Sequence, residues 1–248
     1  MTIRSKVNAL KYSRITVARL TYGVLKKAWY LSKLLFNQSY RSKYYTQLKF
    51  GNYYFQKESY STPNRYPHLF TKCKIYLNEV ANLQILSFGC ATGQEVFTLG
   101  AYLPHAAIMG VDINAWCLKQ CKKKNGESRF SFFHRFSKEF IKSANFDAIF
   151  CLAVFQRSEN RTETRDTALN FTFEKFEAEI IMLDKKLKRG GLFIIDNTDF
   201  SFTDTVCSID YKPLEFETNK MVRERPLFDR NNRKIADIQE NYRMFMKQ

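Results

Sequence analysis

The stretch of residues 85–96, ILSFGCATGQEV, decides the fold. An apolar run leads into a loop with glycines at 89 and 93, and a helix-length segment follows. Gly89 allows the chain to turn sharply off a strand, and Gly93 allows a ligand to approach backbone N–H groups. Such loops lie at the carboxyl ends of strands, where open α/β sheets bind nucleotides. The stretch therefore predicts a strand–loop–helix unit that binds a nucleotide.

The sequence on both sides of this loop predicts an α/β fold with a doubly wound, mostly parallel sheet. Short apolar runs alternate with polar, helix-length segments, which is typical of a parallel sheet covered on both faces. The residues Arg189, Gly190 and Gly191 predict a helix stop that leads into a strand. The tail after Ser208 predicts an antiparallel C-terminal strand, with a turn at 231–232. The predicted strands are 84–88, 107–111, 130–133, 147–151 and 192–195, and the predicted helices lie near 94–103, 114–124, 137–143 and 163–188.

The type of nucleotide follows from what surrounds the loop. A dinucleotide fingerprint that starts at Gly89 needs glycines where Ala91 and Gln94 stand, and no Gly-Lys-Ser/Thr follows to make a P-loop. The second predicted strand ends at Asp112, 19 residues after Gly93. A carboxylate in that place can accept hydrogen bonds from ribose hydroxyls.

Four motifs in order carry a resemblance to a known family. Residues 89–93, GCATG, resemble the first motif of the class I S-adenosylmethionine-dependent methyltransferases, and Asp112 matches their ribose-binding acid. Residues 146–151 resemble their fourth-strand motif, and residues 187–191 resemble the turn before their fifth strand. The resemblance covers about residues 84–196. It implies a Rossmann-like fold, S-adenosylmethionine as the cofactor and methyl transfer as the reaction.

The resemblance also implies a set of cofactor contacts, with departures. Many family members carry an acid where this chain has Ser87. The sequence SFGCATGQE is similar to that of the branch that includes chemotaxis-receptor methyltransferases, which carry Glu near position 95. The acid that often contacts adenine after strand three is missing. Phe136 could flank the base with its ring instead, and a place in the core is the equal alternative. The predicted cofactor-binding residues are Ser87, Phe88, Gly89, Cys90, Ala91, Gly93, Asp112, Ile113, Phe136 and Cys151.

The methyl acceptor is predicted from the segment after strand four. Several subfamilies have a His in a VLEH pattern there, whereas residues 154–157 of this chain read VFQR. Arg157 cannot act as a base at neutral pH, but it can bind a carboxylate or phosphate through two hydrogen bonds. We therefore expect an acceptor that is anionic or already nucleophilic, oriented by Arg157 or Gln156. The alternative is that Arg157 pairs at the surface with Glu159 or Glu163.

The end of strand five supplies further acceptor-orienting candidates, Asp196, Asn197 and Asp199, for which turn chemistry is the alternative. Tyr211 is a weaker candidate, and His134 fits a loop residue better than a base. No Asn/Asp-Pro-Pro-Tyr/Phe segment and no Pro-Cys nucleophile occur, which disfavours amino methylation of bases or glutamine and C5 methylation of pyrimidines.

The positive charge is concentrated in the first third of the chain. The 248 residues carry 40 Lys and Arg against 24 Asp and Glu, a net charge of +16, and residues 1–74 hold 15 of the bases and one acid, Glu58. Residues 3–36 show the periodicity of amphipathic helices, and residues 37–66 predict an irregular, tyrosine-rich connection or lid. We therefore divide the chain into a basic helical cap, 1–80, and a cofactor-binding domain, 81–248.

Composition limits the class of protein further. The apolar content of 45% excludes wholesale disorder, and no apolar window is long enough for a transmembrane helix. Six scattered cysteines without a CxxC motif predict buried thiols in a reducing cytosol and no metal site. No secretory signal is expected, so the predicted location is cytoplasmic, with peripheral membrane contact as an option.

Three functions stay open at this point. The first is methyl transfer to a small, lipid-linked or saccharide acceptor. The second is methylation of RNA or protein, with residues 1–66 binding phosphates and stacking bases. The third is a non-catalytic scaffold that retains the fold. The basic helix is expected either to pack its apolar stripe on the catalytic domain or to lie on an anionic membrane.

Overall fold

The structure is a computed structural model that describes residues 11–12, 16–56, 58–59, 61–156, 165–167, 171–214, 226–235 and 243–248. The chain divides into two compact units, Met1–Lys49 and Phe50–Gln248. The second unit thus includes residues 50–80, which the sequence analysis groups with the cap. The division of the chain into 1–80 and 81–248 stays a prediction.

The first unit is helical where it is described. Helix α1 spans Thr16–Phe36, and helix α2 spans Gln38–Phe50. The amide of Tyr40 donates to Asn37 Oδ1 at 2.9 Å, which supplies one of the hydrogen bonds that a helix N-terminus lacks. The prediction of an irregular connection from residue 37 is therefore wrong for its first part. No Gly or Pro interrupts residues 38–50, so the polar and tyrosine-rich composition does not prevent a helix.

The second unit contains a seven-stranded sheet with the strand order β3-β2-β1-β4-β5-β9-β6. Its strands are β1 (Gln84–Phe88), β2 (Ala107–Asp112), β3 (Phe130–His134), β4 (Phe146–Leu152), β5 (Leu187–Asp196), β6 (Tyr211–Pro213) and β9 (Met244–Lys247). A two-stranded sheet is formed by β7 (Leu227–Phe228) and β8 (Lys234–Ile235). The helices are α3 (Pro67–Leu77), α4 (Gln94–Tyr102), α5 (Ala115–Lys124), α6 (Lys138–Lys142) and α7 (Phe173–Asp184).

The pairing confirms the predicted fold class. Strand β1 is parallel to β2 and β4, and β4 is parallel to β5. Strand β9 is antiparallel to β5, so the C-terminal strand has the predicted direction. The predicted turn at 231–232 joins the antiparallel pair β7 and β8. Because the crossover direction reverses between β1 and β4, the carboxyl ends of β1 and its neighbours border a crevice in which such sheets bind ligands.

The core explains why β4 reads as a continuous apolar run. All seven of its residues are buried, and successive side chains enter opposite faces of the sheet. Ile149 belongs to the hydrophobic cluster on one face, whereas Phe150 belongs to the cluster on the other. Both faces of the sheet are thus covered, and the strands hold the loops at their carboxyl ends in fixed positions.

The helix predicted near 163–188 is shorter at both ends, and it begins only at Phe173. Helix α7 ends at Asp184, and β5 begins at Leu187, before the glycine pair that was expected to stop the helix. Leu187 pairs with Phe146, and the register shifts before Leu192 pairs with Ala148. The glycine pair therefore lies in an irregularity within β5, where Gly190 has φ +74°. In the part of the chain that the structure describes, no helix is long and apolar enough to cross a membrane.

Candidate functional site

The glycine loop folds over the end of β2. Gly89 has φ +78°, and its amide donates to Val111 O at 2.7 Å, as the amide of Cys90 does at 3.0 Å. The amide of Gly93 donates to Cys90 O at 2.9 Å, and Gly93 itself begins α4 in a left-handed conformation with φ +85°. These two positive φ angles explain why glycine is needed at both ends of the loop.

The carboxylate of Asp112 connects the loop to the segment after β2. Its Oδ2 accepts from the amide of Ala91 at 2.8 Å, and its Oδ1 accepts from the amide of Asn114 at 2.7 Å. Burial raises the pKa of Asp112, while the backbone donors act in the opposite direction. Asn114 then caps α5 by accepting from the amide of Trp116 at 3.0 Å. One side chain thus fixes the loop against the end of β2.

A second acid, half-buried like Asp112, lies next to the loop. The hydroxyl of Ser87 donates to Glu95 Oε1 at 2.7 Å. Burial raises the pKa of Glu95 to about 7, although the Ser87 hydroxyl and the positive charge of Arg65 both favour the ionised form. The chain therefore lacks an acid at position 87 but holds a carboxylate from α4 against that position. From the sequence, Glu95 indicates only a similarity to one branch of the family, and its place in the site is not predicted.

A cavity of about 280 Å³ opens at this end of the sheet. Several parts of the second unit surround it: the segment that precedes α3, Phe70 of α3, the glycine loop, the first turns of α4, the end of β2, Arg135 after β3, and the end of β4 with the segment that follows it. The segment before α3 contributes Tyr53, Tyr54, Phe55, Gln56, Glu58, Ser59, Ser61, Thr62, Asn64, Arg65 and Tyr66. Six of the ten predicted cofactor residues line the cavity, namely Phe88, Gly89, Cys90, Ala91, Asp112 and Ile113.

The other four predicted cofactor residues lie outside the lining. Ser87 is fully buried, and its hydroxyl donates a hydrogen bond to Glu95, which lines the cavity. At Gly93, an added Cβ would lie 3.0 Å from the ring of Phe97, which gives this glycine a packing role. Cys151 is buried inside β4, and Phe136 is 40% exposed. The ring centroid of Phe136 lies 5.2 Å from that of Tyr53, a residue of the cavity wall. Contact of these four residues with the cofactor stays a prediction.

The acceptor candidates separate into two groups. Gln156 lines the cavity, is buried and donates from Nε2 to Ala153 O at 3.4 Å. Arg157 and its alternative partners lie outside the described residues. Asp196 and Asn197 do not belong to the cavity lining. The carboxylate of Asp196 is instead 3.3 Å from Arg243 Nε and accepts from the amide of Asn197 at 2.7 Å. An acceptor-orienting role for these residues stays a prediction.

The remaining candidates, Asp199, Tyr211 and His134, have the following contacts, and a role for them in orienting the acceptor stays a prediction. The amide of Asp199 donates to Phe155 O at 2.8 Å, and the hydroxyl of Tyr211 donates to Asp184 Oδ1 at 2.8 Å. A ring nitrogen of His134 is 2.9 Å from Ile113 O. Among the described residues, no group of His, Cys, Asp and Glu side chains could hold a metal ion.

Arg135 is a cavity residue that the sequence analysis misses. Its guanidinium forms a buried, two-pronged ion pair with Glu179 of α7, in which Nη2 is 2.6 Å from Oε1. The guanidinium also lies over the rings of Tyr53 and Phe88, with distances of 4.8 and 5.5 Å to the ring centroids. The Nε atom has no hydrogen-bond partner among the described residues. Arg135 belongs to the cavity lining, so its guanidinium borders the space that a ligand would occupy.

The comparisons with known proteins agree with this geometry. Residues 86–172 match the family model described as "Methyltransferase domain". None of the curated proteins matches the chain. Among solved structures, the chain is similar to the plantazolicin methyltransferase BpumL in complex with SAH, with 17% identity, 78% of this chain and 61% of that one covered, and a TM-score of 0.38. It is also similar to an S-adenosylmethionine-dependent methyltransferase from Mesorhizobium loti, with 14% identity, half of each chain covered and a TM-score of 0.35.

The sheet, the loop and the matched segment define a class. The glycine loop and the acid at the end of the next strand are the two parts of a nucleotide-binding α/β sheet, and they fall within the matched residues. Residues 86–172 therefore match a methyltransferase domain, in agreement with the class I S-adenosylmethionine-dependent methyltransferases that the sequence motifs resemble. The chain spans about three fifths of the length of the BpumL chain.

The residues of the cavity fit the cofactor that this domain implies, S-adenosylmethionine. At Gly89 an added Cβ would lie 2.4 Å from Val154 Cγ2, so only glycine lets the loop pack this closely against Val154, which also lines the cavity. Asp112 places a half-buried carboxylate in the same cavity, where it suits ribose hydroxyls.

Substitution of Gly89 by Ala is expected to weaken binding of S-adenosylhomocysteine by at least about tenfold and to lower the free energy of unfolding. The new Cβ meets Val154 and forces an alanine into a left-handed conformation. Gly190→Ala is the matched control, because Gly190 has φ +74° but no atom within 4 Å of the added Cβ. It should cost only the conformational strain, about 1–2 kcal/mol, and leave the affinity unchanged. Calorimetry and chemical unfolding measure both effects, and equal affinities of the two variants would contradict the steric role of Gly89.

Proposed function

We propose that the protein transfers the methyl group of S-adenosylmethionine to a small acceptor that is anionic or already nucleophilic. The observation that carries the proposal is the cavity at the carboxyl ends of β1 and β2, whose wall contains both the glycine loop and the carboxylate of Asp112. S-adenosylmethionine supplies an activated methyl group on a sulfonium, so the protein has to bind, align and exclude water.

The charges around the cavity suit the two ends of the cofactor. Each oxygen of Asp112 accepts one backbone hydrogen bond and retains a lone pair for a ribose hydroxyl. Arg65 and Glu95 both line the cavity, and the charge of Arg65 affects the ionisation of Glu95. We assign Glu95 to the ammonium group and Arg65 to the carboxylate of the amino-acid part of the cofactor, because each then receives a charge of the opposite sign.

The segment that precedes α3 is assigned to the exclusion of water. Tyr54, Phe55 and Tyr66 are buried although they belong to the cavity wall. The described lining contains no His and no Lys, the side chains that most often remove a proton near neutral pH. An acceptor that needs no strong base, such as a carboxylate or another anion, is therefore favoured over a neutral alcohol.

Removal of the Asp112 carboxylate tests cofactor binding. We expect the wild type to bind S-adenosylmethionine and S-adenosylhomocysteine in calorimetry, and Asp112→Ala to bind both roughly 100-fold more weakly, because hydrogen bonds to a half-buried carboxylate are lost and the loop is released. The matched control is Asp147→Ala. Asp147 is buried and also accepts a backbone hydrogen bond, from Gln84, but this contact is at the start of β1 and away from the cavity.

Asp147→Ala should reduce stability and leave the affinity for both molecules near that of the wild type. A wild-type protein that binds neither molecule would overturn the enzyme proposal and favour a scaffold that retains the fold. Copurification of S-adenosylhomocysteine with the protein would support the proposal independently.

The ionisation of Glu95 predicts a pH dependence. Because its pKa is about 7, affinity for S-adenosylhomocysteine should rise as the pH is raised from about 6 to about 7.5, when the carboxylate forms and can pair with the ammonium group. Glu95→Gln should bind about tenfold more weakly at the upper pH and lose this dependence. The exposed acid Glu174 of α7 supplies the control, Glu174→Gln, which should retain the wild-type profile.

The same group gives a second readout without ligand. The folded protein holds the Glu95 proton more tightly than the unfolded chain does, so this residue stabilises the fold fully below about pH 4.5, and the contribution is lost as the pH rises through about 7. The midpoint temperature of thermal unfolding should therefore fall less steeply with rising pH in Glu95→Gln than in the wild type. Identical pH profiles of the two proteins would refute the shifted pKa.

The acceptor itself is proposed to be oriented by Gln156 or Arg157. Gln156 is buried in the cavity wall, and Arg157 is the next residue in the sequence. Candidate acceptors are small carboxylates, phosphates, anionic lipid-linked molecules and saccharides, which a screen for formation of S-adenosylhomocysteine would test.

With an acceptor from that screen, Arg157→Ala should raise KM by about tenfold or more while the affinity for S-adenosylhomocysteine stays unchanged, because the arginine is assigned to the acceptor alone. Arg189→Ala, at an exposed position in β5, is the control with the same change of side chain. Unchanged kinetics in Arg157→Ala would remove the orienting role.

A second function, methylation of RNA, is favoured by the 11 Lys and Arg and the absence of any acid in residues 1–49. Such a surface neutralises phosphates, and binding would weaken steeply as salt is raised. Methyl transfer to bulk RNA in the same screen, with no transfer to small anions, would favour this function over the first.

A further inference from the structure

Helix α1 exposes a row of large apolar side chains. No residue of this 21-residue helix is buried. Monomeric proteins seldom leave so many neighbouring apolar side chains in water, so a face of this kind marks an interaction surface. The exposed row consists of Val17 (69% exposed), Leu20 (66%), Val24 (67%), Leu31 (57%) and Leu35 (58%).

The row forms one face of the helix. At about 100° per residue, the five side chains fall within roughly 60° of arc. Arg19, Lys26 and Lys33 fall on the opposite side of the helix, and Lys27 falls beside the apolar row. The helix contains no acidic residue. Its faces therefore differ in polarity, and its charge has one sign only.

Aromatic rings surround the basic side. Lys33 Nζ lies 3.6 Å from the ring centroid of Trp29, and Lys26 Nζ lies about 6 Å from the ring centroids of Tyr22 and Tyr30. Trp and Tyr combine an apolar ring with a polar group and are enriched where hydrocarbon meets water. Lysine stems cover apolar surface while their ammonium groups reach the headgroup level.

We propose that α1 binds the surface of an anionic phospholipid bilayer, with its axis in the membrane plane and the row from Val17 to Leu35 among the acyl chains. The apolar row gains free energy by leaving water, and the basic residues of the helix are attracted by the negative surface potential. The absence of acids throughout residues 1–49 removes the repulsion that such a surface would otherwise exert.

Other occupants fit less well. A nucleic acid would use the basic side but would leave the apolar row in water. A second copy of the chain would bring together two helices that each carry four basic residues and no acid, with Lys27 beside the apolar contact. Of these three partners, only an anionic lipid surface both buries the apolar row and attracts the basic residues.

The test is cosedimentation of the full chain with vesicles of phosphatidylcholine alone or with added phosphatidylglycerol. Two triple variants separate the contributions: Leu20→Gln, Val24→Gln and Leu31→Gln remove the apolar row, and Lys26→Gln, Lys27→Gln and Lys33→Gln remove the charge. Glutamine keeps good helix propensity. The matched control replaces three polar residues of the same helix, Thr16→Gln, Thr21→Gln and Ser32→Gln, and should bind like the wild type.

We expect the wild type to bind vesicles that contain phosphatidylglycerol at least tenfold more strongly than vesicles of phosphatidylcholine, and binding to weaken as salt is raised. The charge variant should lose roughly 100-fold in partitioning, at about fivefold for each of the three lysines. The apolar variant, in which glutamines replace three residues of the apolar row, should lose at least as much partitioning to the anionic vesicles. Circular dichroism and affinity for S-adenosylhomocysteine establish that each variant is folded.

Several results would overturn the proposal. Wild-type protein that fails to bind anionic vesicles would do so directly. Full retention of binding in the apolar variant would mean that charge alone attracts the protein. A change of the apolar variant from dimer to monomer in solution, together with absent vesicle binding, would assign the row to a second copy of the chain. Tight RNA binding in place of vesicle binding, lost only in the charge variant, would assign the surface to nucleic acid.

Discussion

The site depends on one interaction, the pair of hydrogen bonds that Asp112 accepts at the end of β2. One oxygen holds the amide of Ala91 in the glycine loop, and the other holds the amide of Asn114 at the start of α5. The loop from β1 and the helix after β2 are therefore fixed by the same carboxylate. Because the sheet is parallel here, both strands end at the same edge, and the carboxylate and the loop share one cavity.

Charge in the site is distributed differently from the pattern that the family resemblance implies. Many relatives have an acid at the end of the first strand, whereas this chain has Ser87, whose hydroxyl supports the carboxylate of Glu95. In this environment, loss of hydration raises the pKa of the Glu95 carboxyl to about 7. Nearby, Arg135 is neutralised by Glu179 but retains an N–H group without a partner among the described residues. The cavity wall thus contains both carboxylate and guanidinium groups.

The sequence predicts the sheet well because its signals are local. Apolar runs of strand length, glycines at the loop ends and Asp112 can each be recognised from neighbouring residues, and six predicted cofactor residues line one cavity. The start of β5 and the helix at Gln38–Phe50 are predicted wrongly. In the first case a register shift lets the strand continue past a glycine pair, and in the second tyrosine-rich composition conceals ordinary helix-forming residues.

By itself the sequence determines the order of strands and helices, the nucleotide-binding loop, the acid that faces it and the basic N-terminal region. Only the tertiary structure decides that the segment before α3 contributes residues such as Tyr54 and Arg65 to the cavity wall, that Arg135 pairs with Glu179 and that Glu95 lies against Ser87. It also decides that the apolar row of α1 is exposed. Such contacts join residues that are not neighbours in sequence, whereas periodicity and loop motifs depend on near neighbours alone.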